Sequence, residues 1–431
     1  MKEKLDVHLD DKTIGSLRFE ASGNRQACAF EYSRDWLVRK DRFQIDPELP
    51  LVAGPQYPTK SKVSAFFGCF ADSEPDGWAA LVIRRDHAKQ RKAAAAVGAP
   101  FDDRPLNSLD YLCAVDDFSR IGALRLSDND GIFVRSHEPG ERAAPPLIEL
   151  DDLIRASKAV ENETETARDL RFLLGIGTSI GGMRPKASIL DEHGALCIGK
   201  FPSVNDERSI VKAEVLALKL AEKAGIQASD GRVVTTDDGV SVAVVKRFDR
   251  QGDKRLMYWS ARTLLGVRDD QEHTYTEIAE AIIRSGNRVE EDLHQLWRRI
   301  VFNVLISNAD DHLNNHGFLH VANGRWRLSP AFDINPFPER AKVLKTWISE
   351  EGNEASIDLA MSAARYFKLK EERAKQIVVE VESAVSQWRE VARQPEIGMT
   401  ARECDAFEDA FEHEQRKIAS DLAKDSTGIR P

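Results

Sequence analysis

The stretch Asn308-Ala309-Asp310-Asp311-His312-Leu313-Asn314-Asn315-His316, with Ser329-Pro330-Ala331-Phe332-Asp333 downstream, decides how this chain is read. It follows the apolar run Ile300 to Ile306 and precedes Gly317-Phe318-Leu319. Phosphoryl transfer spreads charge over the group in flight, so a protein that performs it mainly positions the reactants and supplies countercharge. One carboxylate must face the attacking hydroxyl, while an amide and a second carboxylate hold Mg²⁺. In protein kinases the first carboxylate and the amide share one loop, with four residues between them. Asp310 and Asn315 have that spacing. Asp333 stands where the metal carboxylate is expected, after a hairpin-like stretch with Asn323-Gly324 at its turn.

Upstream, Gly175 to Lys186 is a glycine-rich turn before the strand-like Ala187 to Leu190. Glycines let backbone amides approach phosphates closely, which puts Ser179, Gly181, Gly182 and Lys186 among the nucleotide-binding candidates. The loop is not a P-loop, because G-x-x-x-x-G-K-[ST] is absent and Pro185 would disrupt the helix that should follow. Nor is it G-x-G-x-x-G, since three residues separate Gly177 from Gly181. Lys200 ends the apolar strand that begins at Leu196, where a lysine reaching the phosphates belongs. Glu214, on a helix-like segment from Ile210 to Ala224, is placed to hold it. Val242 to Val245 leads into Lys246-Arg247-Phe248-Asp249-Arg250, a polar bend that suits an adenine-binding hinge, with Lys246 and Phe248 as contacts. His312 joins this set as a hydrogen-bonding residue. Glycine loop, lysine, glutamate, hinge, Asp-x4-Asn and metal Asp occur in kinase order, and that order points to ATP and Mg²⁺.

The 431 residues exceed the usual size of one hydrophobic core. An apolar content of 42% and a charged content of 31% belong to an ordinary globular protein. The polar start lacks a signal-peptide pattern, and no apolar run approaches the ~20 residues that span a bilayer. The expectation is a cytoplasmic protein with no membrane role. Cys28, Cys69, Cys113, Cys197 and Cys404 show no CxxC pairing, which argues against a disulfide framework or zinc knuckle. A net charge of −10 disfavours independent DNA binding. The basic stretch Arg84, Arg85, Lys89, Arg91 and Lys92 reads as a solvated helix face, with contact to nucleic acid through a partner as the alternative.

Residues 1–127 mix short strands and turns. Ile14 to Phe19 and Ile121 to Leu126 echo each other and are expected to be neighbours in one small sheet. Pro75-Asp76-Gly77-Trp78 is a turn leading into a helix-like run. Residues 128–147 read as a linker, 148–255 as an ATP-binding region opening with one helix-like segment to about 174, and 256–431 as a helical lobe. Ile377, Val378, Val381, Ala384, Val385, Trp388 and Val391 form an apolar core stripe. The expected fold class is α+β: a protein-kinase-like two-lobe fold with a small β-rich N-terminal subdomain and a helical C-terminal lobe.

At this point the chain resembles the HipA family, kinases that are the toxin half of bacterial HipBA-type toxin–antitoxin systems. The resemblance is carried by Ser179 to Lys186, Gly199-Lys200-Phe201-Pro202, Val245 to Arg250, Asn308 to Asn315 and Pro330-Ala331-Phe332-Asp333. Phe118-Ser119-Arg120-Ile121-Gly122-Ala123-Leu124-Arg125 and Pro75 to Trp78 resemble that family's N-terminal subdomain. It implies a serine/threonine protein kinase with Asp310 catalytic, Asn315 and Asp333 on Mg²⁺, and Lys200 on ATP. It also implies inhibitory autophosphorylation of Ser179, with Thr178 as second candidate. The implied partners are a small helix-turn-helix antitoxin, DNA only through that antitoxin, and a protein substrate. Members of the family act on aminoacyl-tRNA synthetases among other proteins. The chain departs from ordinary protein kinases in lacking His-Arg before Asp310 and in adding Asp311 beside it. Spacing to Asn315 favours Asp310 over Asp311 as the residue facing the substrate.

Three other readings stand beside this one. Asp310, Asp311, His312 and His316 could ligate a transition metal in a hydrolase, although H-E-x-x-H is absent. A catalytically silent co-repressor scaffold would bind an antitoxin but has no use for Asp310 or Asp333. A small-molecule kinase would need the same phosphoryl-transfer residues.

Overall fold

The computed structural model describes residues 2–23, 25–60, 64–136, 144–175, 182–267, 271–339 and 343–427. Thr178, Ser179 and Gly181 of the glycine-rich loop lie outside the described residues. The chain divides into two compact units, one of residues 1–206 with 234–259, the other of residues 207–233 with 260–431.

In the first unit, four antiparallel strands form a sheet in the order β3-β2-β1-β4: β1 (Lys2–Leu9), β2 (Lys12–Ser22), β3 (Arg25–Tyr32) and β4 (Leu124–Ser127). Period-2 alternation buries Leu5, Val7, Leu17, Phe19, Phe30 and Tyr32 on one face. The echoing segments do share this sheet, in β2 and β4. They are not neighbours, because β1 pairs with both, Val7 lying opposite Gly15 on one side and Leu126 on the other.

The expected linker is not an open one at its described ends. Val134 N–H donates to Leu126 O at 2.9 Å, and the Phe133 ring packs on His8 and under the Arg125 guanidinium. At the far end Leu190 N–H donates to Pro145 O at 2.8 Å. Ile132-Phe133-Val134 is a short β-forming island among turn residues, and a neighbouring strand offers it hydrogen-bond partners. The division between compact units accordingly falls elsewhere than at residues 128–147.

Helix α1 (Gly77–Val97) grows from the Pro75-Asp76-Gly77-Trp78 turn. Its Trp78, Val82 and Ile83 share one apolar core with α2 (Leu150–Glu161), α3 (Ala167–Gly175) and a second sheet. The segment expected as one helix from 148 is therefore two, interrupted where Glu163 takes φ +58°. The second sheet contains β5 (Lys186–Leu190), β6 (Leu196–Lys200) and β7 (Ser241–Lys246), adjacent and antiparallel, and is completed by the strand carrying Val234 and Thr235. Arg84, Arg91 and Lys92 of the basic stretch are exposed on α1, while Arg85 and Lys89 pair with Glu163 and Glu165.

The second unit is mainly helical. Its helices include α4 (Ile210–Lys223), α5 (Tyr275–Ser285), α6 (Val289–Leu305), α7 (Glu371–Val385) and α8 (Trp388–Arg393). A capping box of Thr274 and Glu277 starts α5. From Leu296 to Leu305 every residue of α6 is buried, as its apolar run requires of a central helix. The apolar stripe of α7 and α8 is wholly buried, split between two helices. A hairpin follows α6, of β8 (Gly317–Ala322) and β9 (Arg325–Leu328). Its turn residues Asn323 and Gly324 take φ +52° and +68°, as a two-residue turn of the twist-matched kind demands.

Candidate active site

The loop after α6 is built around a buried carboxylate. Ser307 turns the chain at φ +56° and donates its hydroxyl to Ala410 O at 3.0 Å. Asn308 N–H then donates back to Asn303 O, and Asn308 Nδ2 to Asn303 Oδ1. Asp311 points inward, only 5% exposed, and accepts from Asn303 Nδ2 at 2.9 Å, His316 Nε2 at 2.8 Å and the Tyr275 hydroxyl. Burial pushes its carboxyl up, but His316, Tyr275 and His312 hold it below the usual carboxylate range. Tyr275, buried against that charge, is pushed well above its usual value. Asp310 takes the opposite course: its side chain is 62% exposed and ion-paired with Lys345. Of the two adjacent aspartates, one is spent inside the protein and the other faces out.

Asn315 ends a one-turn helix, Leu313–Asn315, its N–H donating to His312 O at 2.8 Å; it is buried and His312 half-buried. The hairpin then returns the chain. Phe318 lies opposite Leu328, and Ser329 N–H donates to Gly317 O at 2.8 Å. Asn315 precedes this open end by two residues and Asp333 follows it by four. Hydrogen bonds between Ala331 and the backbone of Gln227 and Ser229 hold the return strand. Asp333 sits at φ +54°, a left-handed conformation that Asp tolerates better than most residues, and accepts from Asn335 Nδ2 at 3.2 Å. An amide oxygen and a carboxylate are hard ligands, the donor set Mg²⁺ takes when substrate phosphates complete its shell. Among the described residues no group of three or more His, Cys, Asp or Glu could hold a metal, so the hydrolase reading finds no ligand cluster there.

In the first unit, the second sheet sets two lysines side by side. Lys186 is the direct cross-strand partner of Lys200, and both are buried. Like charges opposed on one face of a sheet repel unless countercharge stands beside them. Lys186 also reaches back to the glycine-rich loop, its Nζ lying 2.7 Å from where a Cβ on Gly182 would stand. Glu214 is buried on α4 of the second unit.

Residues 5–127 match the model of the HipA N-terminal domain, and residues 178–388 that of the HipA-like C-terminal domain. The chain belongs to the HipA family. A candidate kinase of Haemophilus influenzae is 24% identical over 212 residues, 41% of this chain and 60% of that protein. This chain thus spans less than two thirds of that relative. A candidate kinase of Sinorhizobium fredii is 22% identical over 357 residues, 77% of this chain and 76% of that protein. The HipA toxin of Shewanella oneidensis MR-1, solved with HipB and its operator DNA, superposes with a TM-score of 0.68. The superposition covers 99% of this chain and 98% of that one at 16% identity, a likeness of fold. The fold is the expected kinase-like, two-lobe α+β architecture.

The expected adenine hinge of this HipA chain has a second occupation. Lys246 is exposed at the end of β7, and Phe248 is half-buried, its ring 6.2 Å from that of Tyr258. The polar residues between and after them form a buried knot. Asp249 accepts from Arg247 Nε at 2.9 Å, Arg247 Nη2 and Arg250 Nη1 at 2.6 Å, and Gly122 N–H at 2.8 Å. Arg247 also donates to Ser119 O, and Arg250 to Phe118 O and Arg120 O. Burial pushes the Asp249 carboxyl up, yet Arg247 and Arg250 hold it at about 2; burial likewise lowers Arg250 to about 9. The two motifs at 118–125 and 245–250 are therefore one interlocked structure. Sequence reasoning also missed Tyr275, Asn303 and Lys345 around the Asp310–Asp311 pair. Only the polarity of Asn303 within the apolar Ile300 to Ile306 run could have flagged it.

Proposed function

We propose that this chain is an ATP- and Mg²⁺-dependent serine/threonine protein kinase, the growth-inhibiting toxin of a HipBA-type toxin–antitoxin module. The observation that carries the reading is the outward Asp310 on the same loop as Asn315, with Asp333 at the open end of the hairpin that follows. Asp310 orients a Ser or Thr hydroxyl of the protein substrate and accepts its proton. Asn315 and Asp333 offer their oxygens to Mg²⁺, which supplies countercharge to the β- and γ-phosphates when bound. Asp311, locked by Tyr275, Asn303 and His316, holds the loop in shape. Lys186 and Lys200 contact the phosphates, and Gly182 lies beside Lys186. Lys246 and Phe248 border the adenine, and His312 adds a hydrogen bond. Autophosphorylation of Ser179 or Thr178 silences the enzyme.

The partner is a small helix-turn-helix antitoxin, with operator DNA reached through it; the Shewanella HipA, solved with HipB and operator DNA, supports this. Aminoacyl-tRNA synthetases are the substrate class to test first. We place the chain in the cytoplasm; among its described residues no helix is long and apolar enough to cross a membrane. The test is transfer of labelled phosphate from ATP to protein, with Asp310→Asn and Asp333→Asn beside the wild type. Loss of the general base should lower transfer about 10²–10⁴-fold. Equal labelling by all three proteins would overturn the assignment, and labelling of small molecules alone would favour a metabolite kinase.

A further inference from the structure

The Pro75-Asp76-Gly77-Trp78 turn has no part in the function above, yet it touches the glycine-rich loop. The Asp76 side chain makes no capping bond to α1, so the first amides of this helix need other acceptors. Trp78 N–H finds one in Gly182 O at 3.1 Å. The approach is so close that only glycine fits at position 77. A Cβ there would stand 2.4 Å from Gly182 O, 2.7 Å from Gly182 C and 3.1 Å from Met183 Cα, all backbone atoms with no rotamer to yield. Gly77 also takes φ +44°. From the other side, Lys186 Nζ presses toward Gly182, itself at φ +84°. Gly182 is pinched between the start of α1 and a candidate phosphate-binding lysine.

The start of α1 is firmly anchored. Trp78 is buried in one core with Ala187, Ile189, Cys197 and Phe201, the residues of β5, β6 and the position just after β6. Downstream, Arg184 pairs with Asp206 at 2.7 Å, and Asp206 also accepts from Ser203 N–H. Residues 182–186 are thus fixed at one end by the Trp78 amide and in the middle by Asp206.

We propose that Gly77 is a positioning residue for nucleotide binding: the start of α1 sets the exit of the glycine-rich loop and, through it, Lys186. This rests on the kinase reading. A methyl at position 77 must displace the Gly182 carbonyl, because α1 is held by its core, and a misplacement of about 1 Å at such a point is costly. Lys186 would contact phosphates in ground and transition states alike, so the effect falls on KM rather than kcat.

In the full-length chain, Gly77→Ala should raise the KM for ATP about tenfold and leave kcat within about threefold. Hydrogen exchange should quicken at the amides of Trp78 and Met183 and stay unchanged across Leu196 to Lys200. In the wild type, which carries no folding risk, adding Mg·ATP should slow exchange at the Trp78 amide, because coupling between two sites is reciprocal. A KM within twofold of wild type, or a Trp78 amide indifferent to nucleotide that does bind, overturns the proposal. A wild type that binds no Mg·ATP sinks the kinase reading instead, and faster exchange in Gly77→Ala then still reports the contact.

Discussion

Replacing Asp249 by Asn tests how residues 118–122 are held to β7. The carboxylate is 2% exposed and accepts from Arg247, Arg250 and the Gly122 amide. Asn keeps the shape but removes the charge, leaving the Arg247 and Arg250 side chains, 6% and 11% exposed, without a countercharge. Breaking a buried pair from one side costs about 3–5 kcal/mol. A unit of this size loses roughly 2–4 °C per kcal/mol, so the melting transition of the first unit should fall by about 6–20 °C. The pH dependence has a definite sign. The folded value of about 2 lies below the ordinary 3.8, so this stabilisation is complete above about pH 4 and is lost as pH falls toward 2. The wild type should lose roughly 2 kcal/mol over that window and Asp249→Asn should not. Scanning calorimetry at pH 7 and at pH 3 reads both effects. Adding Arg250→Met should recover part of the loss, because one stranded cation leaves with it. A melting point within 2 °C of wild type, or strictly additive losses in the double variant, would refute the argument.

Asp311→Asn should lower the melting transition of the second unit and depress phosphate transfer even though Asp310 is untouched. It strips the carboxylate from buried His316 and from Arg299, whose value burial has already lowered to about 10, at a cost of about 3 kcal/mol. An unaltered melt would show that the network does not hold the loop. Burial raises the Glu74 carboxyl to about 7, against the opposing hydrogen bond from the Ser64 hydroxyl. Since the folded value exceeds the unfolded 4.5, this contribution is full below about pH 4.5 and disappears as pH climbs through 7. The urea midpoint of the wild type should therefore decline between pH 5 and pH 8, and Glu74→Gln should flatten that decline. Parallel pH profiles for the two proteins would remove the claim.

What could be read from the string is what short-range chemistry dictates. Alternating apolar residues marked β2, short apolar runs marked β5 and β6, the Asn323-Gly324 pair marked a tight hairpin, and Asp310-x4-Asn315 marked a loop. Each rests on residues a few positions apart, where period and turn preference act directly. The order of these pieces was enough for the α+β class and for the HipA resemblance. Within the expected linker, Phe133 and Val134 have partners on strands that composition does not reveal.

The sequence by itself determined the fold class and the order of its elements. Tertiary structure alone decided that Lys186 faces Lys200, that Asp311 turns in while Asp310 turns out, and that Trp78 enters the core beneath β5. It alone tied Asp249 to Gly122, 127 residues away. Strand register, the side of a loop that is buried and the meeting of distant charges depend on which surfaces pack together. Those are outcomes of global burial and hydrogen-bond satisfaction, to which no local window of residues has access.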